Sequence, residues 1–272
     1  MLFDIFSVFF ILTVFLYLLQ SAFIFVGIGK LKYKRTDNLP PISILVALKD
    51  EAATLCACIE SLLELDYPNE LLQIILINDR SQDETSAIIN SYKEKSKLIK
   101  IINIENTIAG LSGKANAICQ GIDHADGEIM LITDGDSEVP SSWAKTHVSY
   151  YENDVGLVGG FTLLDRKNDN TSFFGKIQSL DWAYLLSIGA GAMGLGKPLS
   201  VLGNNFSFRK SAYDEVGGYR NMGFTIIEDF ALMTTLVKET TWKVLYPINP
   251  EMLVYSHPMP SWRAFENQRK RS

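Results

Sequence analysis

EIMLITDGD, at residues 128–136, places two aspartates directly after a run of apolar residues. The aliphatic residues of Glu128–Thr133 predict a buried strand. Alternate residues of an extended chain point the same way, so Asp134 and Asp136 can face one point at the end of that strand. Hard oxygen ligands there suit Mg²⁺ or Mn²⁺, which in turn bind diphosphates. The alternative is a solvated acidic turn, because Asp and Gly are favoured in turns.

Strands and amphipathic helices alternate around this stretch. Strands are predicted at Ile42–Ala47, Leu72–Ile77 and Leu98–Ile104, with helices at Glu51–Leu65, Asp83–Lys95 and Lys114–His124. The less regular second half predicts strands near Gly156–Thr162 and Asn204–Phe208, and helices near Phe173–Ile188 and Asp229–Lys238. This alternation predicts an α/β fold with a mostly parallel sheet and helices on both faces. Ligands of such sheets bind at the carboxyl ends of the strands.

Three further polar residues are expected at that edge. Glu51 follows the first strand and Asp79 follows the second, where a carboxylate can accept hydrogen bonds from a base or ribose. Turns that cap the next helix are the alternative for both. Lys114 opens the helix before the Asp-Gly-Asp strand and can approach phosphate from a helix N-terminus. Viewed alone, it is equally well a surface lysine.

The N-terminus predicts a membrane span. Ile5–Gly29 contains no charged residue, and about 25 helical residues reach roughly 37 Å, enough to cross a bilayer core of about 30 Å. Asp4 precedes the run, whereas Lys30, Lys32, Lys34 and Arg35 follow it, so the positive-inside rule puts the rest of the chain in the cytoplasm. A cleaved signal peptide and a buried helix of a soluble protein are the alternatives.

Composition and small motifs narrow the functional class. The formal net charge of −6 argues against a nucleic-acid binder. Cys56, Cys58 and Cys119 have no framework spacing, so we expect reduced, ordinary buried thiols. Gly189, Gly191 and Gly194 match the dinucleotide fingerprint, but no strand precedes them, and we interpret them as a flexible loop.

Together these motifs resemble the family 2 glycosyltransferases, and the match extends over Pro41 to Arg271. The motifs that carry the resemblance are the opening strand with Glu51, then Asp79, Lys114 with Ala115-Asn116, Asp134 with Asp136, Glu228-Asp229, and Gln268-Arg269-Lys270-Arg271. The resemblance implies the nucleotide-diphospho-sugar transferase fold, which is Rossmann-like. It also implies a membrane-associated, inverting enzyme that depends on Mg²⁺ or Mn²⁺. The expected partners are a nucleotide-diphospho-sugar, with a UDP-sugar favoured, a lipid or glycan acceptor, and the membrane.

The resemblance also implies roles for individual residues. Asp136, helped by Asp134, holds the metal, and Asp229 is the base that deprotonates the acceptor. The residues implied to bind the donor are Glu51, Asp79 (at uracil), Lys114, Asp134, Gln268 and Arg271. We further expect Asn204, Asn205 and Arg209 to lie where a sugar is gripped. His257 is either a third metal ligand or, as we prefer, a structural histidine.

The chain departs from the family at its end. Ser272 stands where the family has tryptophan after the arginine, so we expect the C-terminus to be truncated. The predicted organisation is a transmembrane helix at 1–30, a linker at 31–41 and a cytoplasmic catalytic domain at 42–272. Nucleotidyl transfer is disfavoured because Leu48-Lys49-Asp50-Glu51 is acidic where a basic, glycine-rich loop is needed. A non-catalytic, membrane-tethered subunit of a glycan assembly complex is the remaining alternative.

Overall fold

The structure is a computed structural model that describes residues 2–164, 172–199, 203–223, 227–259 and 261–269. For residues 2, 3, 264 and 267–269 it describes the backbone alone. The strands in these ranges are β1 (Ile42–Leu48), β2 (Leu72–Asn78), β3 (Ile99–Asn103), β4 (Ile129–Asp134), β5 (Val155–Gly159), β6 (Thr162–Leu164), β7 (Phe206–Arg209), β8 (Lys243–Leu245) and β9 (Val254–Ser256).

The helices surround these strands in sequence order. They are α1 (Leu2–Gly29), α2 (Leu55–Leu63), α3 (Thr85–Lys95), α4 (Gly113–Ile122), α5 (Trp143–Val148), α6 (Phe173–Gly194), α7 (Lys210–Glu215), α8 (Gly218–Met222), α9 (Glu228–Glu239) and α10 (Trp262–Arg269). The predicted helix at Glu51–Leu65 is shorter than expected, because residues 51–54 form a turn before α2.

The main sheet has the order β3-β2-β1-β4-β7-β5-β8 in the described residues. β1, β2, β3 and β4 are parallel, while β7 is antiparallel to both of its neighbours. Residues of β1 and β4 are almost all buried, because apolar clusters cover both faces of the sheet. The predicted mostly parallel α/β sheet is therefore confirmed, and its carboxyl edge gathers the ends of β1, β2 and β4.

The strand predicted near Gly156–Thr162 is instead two strands in different sheets. β5 belongs to the main sheet, whereas β6 pairs with β9 in a second, two-stranded sheet. The chain turns at Gly160, whose amide donates to the Asn205 carbonyl (2.8 Å). A Cβ there would lie 2.6 Å from Nδ2 of Asn205, so this close passage requires glycine. A periodic apolar pattern alone does not reveal such a change of sheet.

The glycines of the dinucleotide-like motif lie inside α6, so the prediction of a flexible loop is wrong. A Cβ on Gly191 would lie 2.7 Å from Cα of Ile24, and one on Gly194 would overlap the Gly27 carbonyl. The motif therefore lets α6 cross α1 at backbone contact. α1 is long and apolar enough to cross a membrane: an 18-residue window within Asp4–Gly29 has a mean hydropathy of 2.3, and none of that window is buried.

The segment predicted as a linker, residues 31–41, is packed along the domain. Arg35 donates through Nε to Ser149 Oγ (3.0 Å) and pairs with Glu251 (3.2 Å). The Thr36 amide donates to the Ser149 carbonyl (2.7 Å), and the Tyr67 hydroxyl donates to the Pro40 carbonyl (2.5 Å). These contacts and the α1–α6 crossing join α1 to the α/β domain at two places.

Candidate active site

Two cavities meet at the carboxyl end of β4. The strand-edge cavity, of about 250 Å³, lies over the ends of β1, β2 and β4 and the start of α4. The α6 cavity, of about 190 Å³, lies beside α6 and the segment after β9. Asp134 and Asp136 line both. The paired aspartates thus form the boundary between the two spaces.

The strand-edge cavity collects most of the predicted site residues. Its lining includes five of them, namely Glu51, Asp79, Lys114, Asp134 and Asp136. They come from four separate segments of the chain, which the parallel sheet brings to one edge. The prediction that these residues lie together at one edge of the sheet is therefore confirmed, and what each of them binds stays a prediction.

The loops after β1 and β2 are hydrogen-bonded to each other next to this cavity. The Gln82 amide donates to Asp50 Oδ1 (2.7 Å), and the Glu51 amide donates to Thr85 Oγ1 (2.9 Å). Asp50 (φ 57°) and Arg80 (φ 58°) are in the left-handed region, which is costly for non-glycine residues and is often found at functional sites. The interlocked loops hold this edge of the cavity in one shape.

Asp79 lies at the end of β2 and is 5% exposed. Its amide donates to the Leu48 carbonyl (2.8 Å), which extends the pairing of β2 with β1. Its carboxylate accepts from Arg80 Nε (2.8 Å). Asp79 is therefore a rigid, oriented acceptor at the cavity wall, and its charge is matched by a neighbouring guanidinium.

Lys114 joins the paired aspartates to the acidic start of α9. Its Nζ lies 2.5 Å from Asp134 Oδ1, 2.7 Å from the Gly203 carbonyl and 3.6 Å from Glu228 Oε1. Burial lowers the pKa of Lys114, but the Asp134 and Glu228 carboxylates outweigh it and hold the pKa above its ordinary value. The ammonium is therefore charged and is shared between two carboxylates.

Asp229 lies in the first turn of α9 and is 6% exposed. Its Oδ1 accepts from the Phe230 amide (2.7 Å). Burial, followed by the charge of Glu228, raises the pKa of Asp229 to about 7. A helix N-terminus favours an ionised carboxylate, but here the loss of water and the neighbouring carboxylate outweigh the backbone donor and Lys114.

The acidic residues at the cavity boundary fit a divalent cation. Burial raises the pKa of Glu51 most, and the charges of Asp136 and Asp134 add to this, so that the pKa is about 7. Asp136 accepts hydrogen bonds from Ser137 (3.1 Å) and Ser256 (3.1 Å), which orient its carboxylate. In the described ranges, no group of three or more His, Cys, Asp or Glu side chains is arranged around one metal position. One or two carboxylates suffice, however, where phosphate oxygens and water supply the other ligands.

The α6 cavity contains residues that the sequence did not indicate. Gln178, Trp182, Ser256 and Met259 line it, together with the predicted Asn204 and His257. Gln178 and Trp182 lie four residues apart on α6 and so share a face. This spacing can be seen in the sequence. However, aromatic residues at helical spacing usually pack in a core, so the spacing alone does not indicate a binding site.

Two residues expected to grip a sugar do not lie at the site. Asn205 is fully buried, and its amide bonds to Phe161, Met252, Trp143 and His147. Arg209 pairs with Ile129 at the opposite end of β4, and its guanidinium donates to Glu128 and Glu152. Asn205 is structural, and Arg209 is about five strand residues, or roughly 16 Å, away from Asp134.

The remaining predictions concern His257, the three cysteines and the C-terminal Gln268 and Arg271. His257 is exposed and lines the α6 cavity, so burial does not support the structural role that we preferred. Cys58 and Cys119 are free and buried as expected, but Cys56 is exposed. Gln268 belongs to α10 with its side chain outside the described residues, and Arg271 lies outside them altogether. The donor-binding roles of these two residues remain predictions.

Comparison with known proteins gives the sequence relationships of the chain. The family described as Glycosyl transferase family 2 matches residues 43–217. Poly-beta-1,6-N-acetyl-D-glucosamine synthase of Staphylococcus epidermidis is 30% identical over 177 residues, which are 65% of this chain and 41% of that protein. The chain spans about half the length of the curated relatives that it matches.

Solved structures confirm the predicted nucleotide-sugar transferase fold. The mannosyltransferase PcManGT from Pyrobaculum calidifontis, in complex with GDP-Man and Mn²⁺, superposes with a TM-score of 0.69 at 18% identity, over 92% of this chain and 68% of that one. S. aureus TarS 1–349, in complex with UDP-GlcNAc, superposes with a TM-score of 0.55 at 14% identity, over 82% and 60% respectively.

Proposed function

Because this chain belongs to glycosyl transferase family 2, we propose that it transfers a sugar from a nucleotide-diphospho-sugar to a glycan or lipid acceptor, with inversion. The observation that carries the proposal is the strand-edge cavity, where carboxylates from the ends of β1, β2 and β4 and the charged Lys114 face one space. A UDP-sugar is the favoured donor. The relative in Staphylococcus epidermidis is named as the synthase of an N-acetylglucosamine polymer, which supports a glycan acceptor.

Each residue of the strand-edge cavity has a separate role in the proposed reaction. Asp79 and Glu51 bind the nucleoside in the strand-edge cavity, and Lys114 contributes positive charge beside the diphosphate. A divalent cation held by Asp136 and Asp134 would supply the positive charge that stabilises the departing nucleoside diphosphate. Lys114 also keeps Asp134 oriented, through the 2.5 Å contact between Nζ and Oδ1.

Asp229 is the proposed base. It accepts the proton of the acceptor hydroxyl as that oxygen forms a bond to the anomeric carbon and the bond to the diphosphate breaks. A pKa of about 7 is well matched to this role, because the group is then substantially ionised at neutral pH and still basic enough to accept a proton. Gly203 lines the α6 cavity and passes close to Asp229, because a Cβ there would lie 3.2 Å from Asp229 Oδ2.

We also propose that α1 anchors the enzyme in the membrane with the α/β domain on the cytoplasmic side. The length and hydropathy of α1 and the basic residues that follow it support this arrangement. The packed segment 31–41 then holds the domain at a fixed distance from the bilayer. A cytoplasmic position gives the site access to nucleotide-sugars.

A stabilisation screen tests the proposed donor. The full chain in detergent is heated with UDP-, GDP- and dTDP-sugars, with and without Mn²⁺, because a ligand of the native state alone raises the unfolding temperature. We expect a UDP-sugar with Mn²⁺ to give the largest shift, and hydrolysis of that donor to require Mn²⁺. Stabilisation by GDP-sugars alone would contradict the UDP assignment. A non-catalytic subunit would hydrolyse none of these donors.

A further inference from the structure

A buried polar network lies between α5 and β7, next to the candidate active site. It contains Trp143 and His147 of α5, Asn205 and Ser207, all fully buried, together with Tyr151. In the described part of the chain, none of these side chains lines the strand-edge cavity or the α6 cavity. A polar network in which every group has a partner makes its surroundings rigid. The network can therefore act on the site only through the backbone that it holds.

The side-chain amide of Asn205 can adopt only one orientation. Its Oδ1 accepts from Nε1 of Trp143 (2.9 Å), and an indole nitrogen can only donate. Its Nδ2 donates to the carbonyls of Phe161 (2.6 Å) and Met252 (3.0 Å), which can only accept. Nε2 of His147 lies 2.9 Å from Oδ1, so this nitrogen carries the proton of the ring. A flipped amide would place donors against donors and acceptors against acceptors.

His147 is held in the form that this amide requires. Burial lowers the pKa of His147 to about 4, so the ring is neutral at pH 7 and carries one proton. With that proton on Nε2, Nδ1 accepts from the Ser207 hydroxyl (3.0 Å), which accepts in turn from the Tyr151 hydroxyl (3.0 Å). Both ring nitrogens thus have a partner, and the ring is fixed in the direction of Asn205.

The first segment that Asn205 holds is residues 252–256. The Met252 carbonyl accepts from Nδ2, and the Phe161 carbonyl accepts from both Nδ2 and the Val254 amide (3.1 Å). The same segment continues to Ser256, whose hydroxyl donates to Asp136 Oδ2 (3.1 Å). The position of the hydroxyl that orients Asp136 therefore depends on the amide of Asn205.

The second segment lies directly before Asn205. The Gly203 carbonyl accepts from Lys114 Nζ (2.7 Å), and the same ammonium lies 2.5 Å from Asp134 Oδ1. The Asn205 carbonyl accepts from the Gly160 amide (2.8 Å), so both the backbone and the side chain of Asn205 are fixed. Gly203 is only two residues away, and its carbonyl is thereby held towards Lys114.

We infer that Asn205, held in one orientation by Trp143 and His147, is a positioning residue for Asp136 and Lys114. It touches no ligand, and it acts through the two backbone segments that bond those side chains. The inference rests on the proposed function for the roles of Asp136 and Lys114. It gives the buried histidine a task, which is to keep the amide of Asn205 from turning.

The test compares His147→Phe, which keeps a ring and removes both nitrogens, with His147→Gln, whose amide keeps an N–H near the position of Nε2. The full chain in detergent is used. Loss of an outer-shell partner typically weakens metal binding by about 10- to 100-fold. Because Asn205 keeps its bond to Trp143, we expect the Kd for Mn²⁺ in the presence of UDP to rise about 3- to 10-fold in His147→Phe. Backbone amide exchange in residues 158–162 and 252–256 should become about tenfold faster. His147→Gln should stay within twofold of wild type in both measurements.

Ser43→Ala is the matched control. Ser43 is also fully buried and bonded to Gln73 and Gly127, but it lies four residues before Ala47, the partner of Asp134, or roughly 13 Å along β1. It should lower the unfolding temperature and leave the Mn²⁺ Kd and the exchange of both segments unchanged. If His147→Phe does not fold, Trp143→Phe removes the other donor to Oδ1 and carries the same expectation.

Wild-type exchange and Mn²⁺ affinity in His147→Phe would overturn the inference. Equal impairment of the Phe and Gln variants would also overturn it, because loss of ring packing would then be the cause, and so would the same changes in Ser43→Ala. A wild-type protein that does not bind Mn²⁺ with UDP would refute the proposed function instead. The amide exchange would still decide whether His147 and Asn205 fix the two segments.

Discussion

Replacement of Asp229 by asparagine tests both the chemistry and the electrostatics of the site. Asn has nearly the same shape as Asp and can accept the hydrogen bond from the Phe230 amide, so the start of α9 should be preserved. It cannot take a proton from an acceptor hydroxyl. General-base assistance is typically worth about 10² to 10⁴ in rate, so we expect transfer to fall by about that factor, with donor binding close to wild type.

The same substitution should change stability in a pH-dependent way. Burial and Glu228 raise the pKa of Asp229 from 3.8 to about 7, so the folded protein binds this proton more tightly than the unfolded chain does. The associated stability is fully present below about pH 4 and is lost as the pH rises to 7. Three pKa units at 1.36 kcal/mol each give at most about 4 kcal/mol at pH 8. Because asparagine also removes an attraction to Lys114, we expect Asp229→Asn to be about 2–4 kcal/mol more stable than wild type at pH 8.

Thermal unfolding of the full chain in detergent at pH 4 and pH 8, together with transfer rates across this range, would measure both effects. The two proteins should have similar stability at pH 4 and diverge as the pH rises, and the wild-type kcat/KM should decline below about pH 7 as the base becomes protonated. Asp214→Asn, which alters an exposed pair with Lys210, is the control and should change stability by less than about 0.5 kcal/mol. Transfer by Asp229→Asn within about threefold of wild type, or lower stability at pH 8, would show that Asp229 only caps α9.

Three further predictions follow from the proposed roles. Asp136→Ala should abolish Mn²⁺-dependent nucleotide binding in calorimetry, and an unchanged affinity would refute its role as a metal ligand. Asp37→Cys should not be labelled by impermeant thiol reagents applied to intact cells, and efficient labelling would contradict a cytoplasmic domain. The variant is made in a Cys56→Ser background, because Cys56 is exposed. Gly203→Ala would put a carbon 3.2 Å from Asp229 Oδ2 and 3.3 Å from Lys114 Nζ, so we expect kcat to fall about 3- to 10-fold at constant nucleotide Kd; equal turnover would show that the site tolerates the shift.

Much of the architecture followed from local patterns in the sequence. Apolar runs such as 42–47 and 128–133 are nearly continuous because parallel strands are covered on both faces, and that pattern is readable without any tertiary information. Acidic residues directly after such runs had to meet at the carboxyl edge of the sheet. This is why the sequence alone assigns Glu51, Asp79, Asp134 and Asp136 to one edge of the sheet, where they line one cavity.

Features that depend on contacts between distant segments required the tertiary structure. Burial of Asn205 among groups from three other segments removed it from the site, and the crossing of α1 and α6 explained a glycine motif that resembled a nucleotide-binding loop. The raised pKa of Asp229 arises from its loss of water and its proximity to Glu228 within the folded site. The sequence by itself determined the strand ends and the residue types placed there, because both are local. Only the tertiary structure decided which side chains are buried, paired or left facing a cavity, because the electrostatic and packing energies that settle this act through space.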